Sequence, residues 1–364
     1  VHGKACGPDG IHGEALKCGA EVTDQILLRL FNMCLKYETI HDKLWRNANV
    51  TSIFKKGDKM DPGNYRGISL HSTLGKLYGT VLCNRLTSYL EKKKCINDAQ
   101  NGFRSVGKRC CQDHIATLHE TLKKRLSGGL GTLLCFIDFR KAFPSVDHTC
   151  LFYKLSKNMG VKGKFLRVIK RFYKNMTSSA VVNGEKSKPY NVKLGTAEGC
   201  PLSPILFSVF INDLLEKIQE SGLATPECPV LAFADDIVIL TDDREKMRKL
   251  LDIVTEWLGK WRMVANAKKS AIMGVGMSTV DTELPEVFLQ LPLCGEELPR
   301  VTDYKYLGVT FDDKLSFNLH AKKTLGKSKQ KIGQLWNLLS DRALPIALRQ
   351  RIYSACVGTG ALYG

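Results

Sequence analysis

Phe233-Ala234-Asp235-Asp236-Ile237-Val238-Ile239-Leu240 places two adjacent carboxylates inside an apolar run that extends from Val230 to Leu240. Burying the apolar flanks is favourable, but burying two like charges side by side is costly without compensation. An acidic pair alone says little, because such pairs occur on many solvated turns. A third carboxylate in a similar setting changes the reading. Asp138 follows the apolar stretch Thr132-Leu133-Leu134-Cys135-Phe136-Ile137 and precedes Phe139. Three acids on apolar strands point to a site for two divalent cations. Two such ions, roughly 3.5–4 Å apart, can stabilise the attacking and leaving oxygens of a phosphoryl transfer. Magnesium takes a few carboxylates together with waters and phosphate oxygens.

Around this stretch the pattern alternates between helix and strand. Residues 229–241 predict a β-hairpin with the Asp pair at its tip, and residues 132–139 a buried strand. Helical spacing covers 147–158 and 163–175; the second presents Phe165, Leu166, Ile169, Phe172 and Tyr173 inward. Residues 179–196 read as a hairpin with Asn183-Gly184 near its turn. Ser203 caps a helix with Pro204 at its first position, and Asp243 opens another. The order strand, two helices, hairpin, helix, hairpin, helix implies an α+β fold, with helices on one face of an antiparallel sheet.

Upstream, residues 24–37 predict a helix capped by Thr23 or Asp24, with Ile26, Leu27, Leu30, Phe31 and Cys34 on one face. A strand at 49–54, a turn-rich loop at 55–64, the segment 65–70 and a helix at 73–92 follow. Downstream, the Pro- and Glu-rich residues 277–299 read as a surface linker. A basic helix begins near Asn318, and a second helix spans 345–357.

Lys and Arg number 54 against 36 Asp and Glu, a formal charge of +18 over 364 residues. So basic a chain points to a polyanionic partner, nucleic acid first. Its length suggests two or three subdomains. The 13 cysteines lack the spacing of zinc sites and read as reduced thiols of an intracellular protein, in nucleus, cytoplasm or both. No apolar run reaches membrane length, and no signal peptide opens the chain. Starting at Val1 and stopping at Gly364, it reads as an excised piece of something longer.

Several motifs together resemble the reverse transcriptases of non-LTR retrotransposons. Phe233-Ala234-Asp235-Asp236 resembles their metal-binding box, and Asp138-Phe139-Arg140-Lys141-Ala142-Phe143 their first catalytic box. Gly195-Thr196-Ala197-Glu198-Gly199-Cys200-Pro201-Leu202-Ser203-Pro204 resembles the box that supports template and incoming nucleotide. Gly7-Pro8-Asp9-Gly10-Ile11, Asn64-Tyr65-Arg66-Gly67-Ile68-Ser69-Leu70, Gln100-Asn101-Gly102-Phe103-Arg104 and Tyr306-Leu307-Gly308 are similar to further motifs in the same order. The resemblance implies a right-hand polymerase: fingers with an N-terminal extension and part of the palm in 1–130, an antiparallel-sheet palm with the catalytic site in 131–276, a linker and primer grip in 277–316, and a truncated helical thumb in 317–364.

It also implies roles. Asp138, Asp235 and Asp236, with Phe139, would form the site for two Mg²⁺, or Mn²⁺. Lys269, in Asn266-Ala267-Lys268-Lys269-Ser270, would assist the departing pyrophosphate. Arg66, Lys55 and Lys56 would bind the triphosphate, for which the arginine fork is suited. Phe143 would exclude a 2′-hydroxyl. Glu198 and Gly199 would lie near nucleotide and template; Glu198 departs from the family, where glutamine is usual. Tyr306, Leu307 and Gly308 would grip the primer, and Lys322, Lys323 and Lys327 would follow duplex phosphates. The implied partners are an RNA template, a DNA primer or target, and dNTPs, with no membrane; the oligomeric state is open. An RNA-dependent RNA polymerase, or a nucleic-acid-binding derivative that has lost catalysis through Glu198, are the alternatives. Nothing resembles an endonuclease, an RNase H domain or a C-terminal zinc knuckle.

Overall fold

The computed structural model describes residues 5–104, 109–196, 198–277 and 291–363. Two compact units interleave along the chain. The first comprises Val1–Lys108, Phe139–Glu216 and Trp257–Val264; the second comprises Arg109–Asp138, Lys217–Glu256 and Ala265–Gly364.

The first unit contains a five-stranded sheet. Strand Asn47–Phe54 pairs antiparallel with Tyr65–His71, from Ala48 opposite His71 to Phe54 opposite Tyr65. The intervening turn is fixed by its own polar side chains: Asp61 Oδ1 accepts from the Gly63 N–H at 2.8 Å, and the Asn64 amide donates to the Asp58 carbonyl at 2.9 Å. On its other edge Asn47–Phe54 runs parallel to Thr177–Val182. This pair joins residues about 130 positions apart and departs from the purely antiparallel reading. Asn183 and Gly184 adopt φ of 51° and 87°, the left-handed pair that a tight hairpin turn requires.

Helix Thr73–Lys92 begins where the apolar spacing puts it. Ser72 Oγ accepts from the Gly75 N–H at 3.1 Å and donates to Asp9 Oδ2 at 2.7 Å. Thr73 Oγ1 donates to the Ile11 carbonyl at 2.6 Å. The Gly7–Ile11 motif is therefore a clamp on a helix start. A Cβ on Gly7 would lie 2.1 Å from the His71 carbonyl oxygen, so only glycine fits. The Gln100–Arg104 motif is structural too. Arg104 is buried, grips Glu91 through Nε and Nη2, and donates Nη1 to the carbonyls of Asn97 and Gln100.

Helix Ala20–Lys36 starts earlier than its sequence suggests. Gly19 occupies the cap position, so neither Thr23 nor Asp24 caps it, and Ile26 is exposed.

Lys154 on helix His148–Lys157 is fully buried. Its ammonium lies 3.9, 4.3 and 4.7 Å from the ring centroids of Trp261, Phe210 and Trp257. It donates to Asp213 Oδ1 at 2.6 Å and to the Phe210 carbonyl; Trp257 Nε1 donates to the same Asp213 oxygen at 2.8 Å. Burial pulls the Lys154 pKa down to about 8, against the opposing pull of Asp213. Lys154→Met is expected to cost about 3 kcal/mol, because it strands a carboxylate in an aromatic surround. The folded chain loses this proton near pH 8 and the unfolded chain near 10.5, so the unfolded state binds more protons between them. Lys154's contribution to stability therefore rises with pH across that window. Denaturant unfolding of wild type and Lys154→Met at both ends should show the variant's deficit growing; a shrinking deficit contradicts the assignment.

The second unit contains a four-stranded antiparallel sheet in the order Val230–Phe233, Asp236–Thr241, Thr132–Ile137, Ala271–Val275. Leu134, Phe136, Val238, Leu240 and Met273 pack in one cluster with Ile115, Leu118 and Leu122 of helix Cys111–Ser127. That helix was not anticipated. Tyr306, Val309 and Phe311, from the hairpin Asp303–Tyr306 and Val309–Asp312, complete the cluster. Residues 278–290 of the expected linker lie outside the described residues. Beyond them the chain is not a loop: Pro292–Leu293 and Glu296–Glu297 form a short hairpin with Leu291, Leu293 and Leu298 buried. Helix Asn318–Gln334 starts at the expected residue. Among the described residues no helix is long and apolar enough to cross a membrane.

Candidate active site

The acidic hairpin has the geometry read from its sequence. Phe233 pairs with Asp236, leaving Ala234 and Asp235 as a two-residue tip. Ala234 takes φ of 57°. Hairpin turns usually place glycine where the first central residue has positive φ. An alanine held there stores roughly 1–3 kcal/mol of backbone strain, a cost met most often where function fixes the conformation.

Asp138 reaches the same end of the sheet. Ile137 pairs with Ile237, so the next step of the antiparallel register sets Asp138 beside Asp236. Two bonds hold its backbone: its N–H donates to Ser270 Oγ at 3.0 Å, and its carbonyl accepts from the Asn266 N–H at 2.7 Å. Tyr304, stacked on Phe136 with centroids 4.1 Å apart, donates its hydroxyl to the Lys269 carbonyl at 3.0 Å. The turn that carries exposed Lys269 is thereby pinned against Asp138.

Electrostatics agree with this convergence. Burial, then Asp235, then Asp138 push the Asp236 carboxyl up to about 6, and every one of these influences disfavours its charge. Hard oxygen donors that repel one another suit a hard divalent cation, which reverses the penalty. The side chains do not form a finished cage: among the described residues no group of three or more His, Cys, Asp or Glu is arranged to hold a metal by itself. Magnesium, which keeps water and phosphate oxygens in its shell, does not need one. Phe139 offers no side-chain donor. Its ring is buried near Trp257, so any contribution to a metal falls to its carbonyl.

Tyr306 needs correction. Its side chain is buried at 2% exposure and unable to touch a primer. Its hydroxyl lies 2.9 Å from His114 Nε2 and donates to the Asp236 carbonyl at 3.4 Å. Burial lowers the His114 pKa to about 4, so the ring is neutral at pH 7. His114 and Tyr306 buttress the acidic hairpin from beneath. His114 was missed in the sequence; the signal was the spacing of Ile115, Leu118 and Leu122 beside it. Leu307 and Gly308 form the turn that follows, with φ of 45° and 94°. A Cβ on Gly308 would meet the Tyr363 ring at 2.8 Å. Lys322, Lys323 and Lys327 are exposed, and Lys323 is paired with Asp303 at 2.7 Å.

The nucleotide set lies in the first unit. Lys55 and Lys56 are exposed on the loop after Asn47–Phe54. Arg66 stands opposite Ile53, and its Nε donates to Glu198 at 3.1 Å. Gly199 has φ of 97°, and a Cβ there would lie 2.8 Å from the Ser69 carbonyl oxygen, so this glycine serves a close backbone approach within the protein. Phe143 follows Lys141, itself at φ of 51°, on the short helix Ala142–Ser145. Its ring stacks on Phe207 with centroids 4.6 Å apart, and its carbonyl accepts from the Thr196 N–H at 2.9 Å.

Residues 53–311 match the family model described as reverse transcriptase (RNA-dependent DNA polymerase). The chain belongs to this reverse transcriptase family. Over 99% of its length it is 28% identical to the RNA-directed DNA polymerase from mobile element jockey of Drosophila funebris, covering 39% of that protein. It is equally similar to the probable RNA-directed DNA polymerase from transposon BS of Drosophila melanogaster, again over 99% of this chain and 40% of the relative. The chain thus spans about two fifths of these relatives. Among solved structures, apo telomerase from Candida tropicalis, truncated from its C-terminal domain, superposes with a TM-score of 0.54 at 12% identity, over 81% of this chain and 60% of that one. The chain therefore has the α+β fold of right-hand polymerases, and the expected kinship with non-LTR retrotransposon enzymes is borne out. Members of the family are metal-dependent.

Proposed function

We propose that this chain is the catalytic core of an RNA-directed DNA polymerase from a non-LTR retrotransposon, adding deoxynucleotides to a DNA 3′ end on an RNA template. The observation that carries this reading is the convergence of Asp138, Asp235 and Asp236 on one sheet end within a reverse transcriptase fold. Asp138 and Asp235 are the principal ligands of two Mg²⁺, which Mn²⁺ can replace, and Asp236 supports them. Divalent cations bound there supply charge stabilisation for the reacting oxygens. The 3′-hydroxyl gives up its proton to solvent as its oxygen bonds to the α-phosphorus and the bond to pyrophosphate breaks, and Lys269 delivers a proton to, or neutralises, that leaving group. Arg66, with Lys55 and Lys56, binds the triphosphate. The ring of Phe143 rejects a 2′-hydroxyl. Lys322, Lys323 and Lys327 follow the product duplex.

Templated incorporation of dNTPs on an RNA template annealed to a DNA primer tests the function, with rNTPs and a primer-only control alongside. Extension with dNTPs that depends on template and Mg²⁺ supports it. Efficient rNTP use, or template binding without extension, refutes it.

Glu198 is this chain's own departure, and its partner Arg66 gives it a role. The pair is partly solvated, with the arginine side chain 56% exposed, and such pairs are worth up to about 1 kcal/mol. Glu198 therefore competes with triphosphate for Arg66 without abolishing binding. Glu198→Gln is expected to lower the KM for dNTPs by about two- to fivefold with little change in kcat. Steady-state kinetics checks this; a raised KM would show that the carboxylate helps.

A further inference from the structure

The helices His148–Lys157 and Gly163–Tyr173 in the first unit line a cavity of about 840 Å³. None of its lining residues belongs to the metal, nucleotide or primer sets. From His148 to Gly184 the sequence contains no Asp or Glu but eight Lys and Arg. Helix Gly163–Tyr173 separates its faces sharply. Leu166, Val168, Ile169, Phe172 and Tyr173 are buried, while Lys164, Arg167, Lys170 and Arg171 are exposed.

Five cations line the cavity: Lys157, Arg167, Lys170, Arg171 and Lys174. Among the described residues only Arg167 has a carboxylate partner, Glu38, at 2.6 and 2.7 Å. That bond holds the Glu38 carboxyl below its usual range, with Lys164 and Arg171 adding to the effect. One acid against five cations leaves a strongly positive concavity.

Aromatic surface lies in the same wall. Tyr153 is 54% exposed, Phe152 and His148 are half-buried, and the Lys170 ammonium sits 5.7 Å from the Phe152 ring centroid. A merely solvated basic face has no need of a concavity or of an open ring such as Tyr153. Cations that follow phosphates beside rings on which bases stack are the two components of single-strand recognition. A duplex offers the phosphates but hides the base faces. We propose that this cavity binds single-stranded nucleic acid as a second site, separate in residues from the polymerase site.

The test uses the whole chain preloaded with an unlabelled RNA–DNA hybrid bearing a one-nucleotide template overhang. Labelled oligo(rU) or oligo(dT) of about ten nucleotides, within the usual single-strand footprint, is then titrated at several salt concentrations, with an RNA duplex of equal length as a third arm. Loaded wild type is expected to bind the single strands and to discriminate against the duplex; the RNA and DNA arms identify the preferred source. Lys170→Gln/Arg171→Gln/Lys174→Gln should weaken binding at least about tenfold and reduce the salt slope by about two to three. Tyr153→Ala should weaken it about tenfold with the slope unchanged. Extension of the preloaded hybrid should stay at the wild-type rate in both variants, and because it is read separately, failure of the polymerase reading is distinguishable. Wild-type affinity and slope in the triple variant, equal binding of the duplex, or failure of the loaded protein to take the second strand would each overturn the proposal.

Discussion

Asp235→Asn is expected to lower templated dNTP incorporation by on the order of a thousandfold or more, the equivalent of several kcal/mol of lost transition-state stabilisation. The substitution keeps the shape of the side chain and removes its charge. Asp235 lies in a two-residue tip, and asparagine keeps its size there. Folding should not suffer. Asp235 is the second-largest influence raising the Asp236 pKa, so removing its charge relieves a repulsion in the metal-free protein. The expected signature is therefore a loss of activity with a Tm equal to or slightly above wild type. Single-turnover incorporation and thermal unfolding on the same preparations give both values. Activity within tenfold of wild type would remove Asp235 from the metal site. A large fall in Tm would mean that the hairpin is held by the carboxylate itself.

Phe143→Ala should have the second-largest effect, on selectivity rather than rate. The stack on Phe207 and the Thr196 bond to its carbonyl fix where the ring stands, so under the proposed function it would act as a rigid wall. A wall of this kind excludes a 2′-hydroxyl by contact and offers it no hydrogen-bond partner. Truncation removes that contact and should raise incorporation of rNTPs relative to dNTPs by about a hundredfold. dNTP incorporation should fall only modestly. Competition between one dNTP and its rNTP counterpart, scored as kcat/KM for each, measures the change. An unaltered ratio would make Phe143 a packing residue of the first unit and nothing more.

Much of the site was legible because its signals are local. The acidic hairpin, helix Thr73–Lys92 and the start of helix Asn318–Gln334 follow from apolar spacing, turn residues and caps within a few positions. What was not legible depends on distant parts of the chain. The parallel pairing of Asn47–Phe54 with Thr177–Val182 has no local signature. Helix Cys111–Ser127 hid behind its charged face, since only Ile115, Leu118 and Leu122 mark the buried side. Tyr306 was expected at the primer because its motif resembles the family's; its ring is instead core, under Asp236. Lys154 reads as polar in sequence, and only the fold surrounds it with Phe210, Trp257 and Trp261. Thr23 and Asp24 are good capping types, but the helix extends past them to Ala20.

The proposed function needs one shared cation locus at Asp138, Asp235 and Asp236, and iron-mediated cleavage of the chain tests it directly. With Fe²⁺ in place of Mg²⁺ and ascorbate with peroxide added, hydroxyl radicals cut backbone within reach of the bound metal. Cuts beside residue 138 and beside residues 235–236, suppressed together by excess Mg²⁺ and both lost in Asp235→Asn, are expected. Cuts at only one of the two segments, or an unchanged pattern in the variant, would show that these aspartates do not hold a common metal.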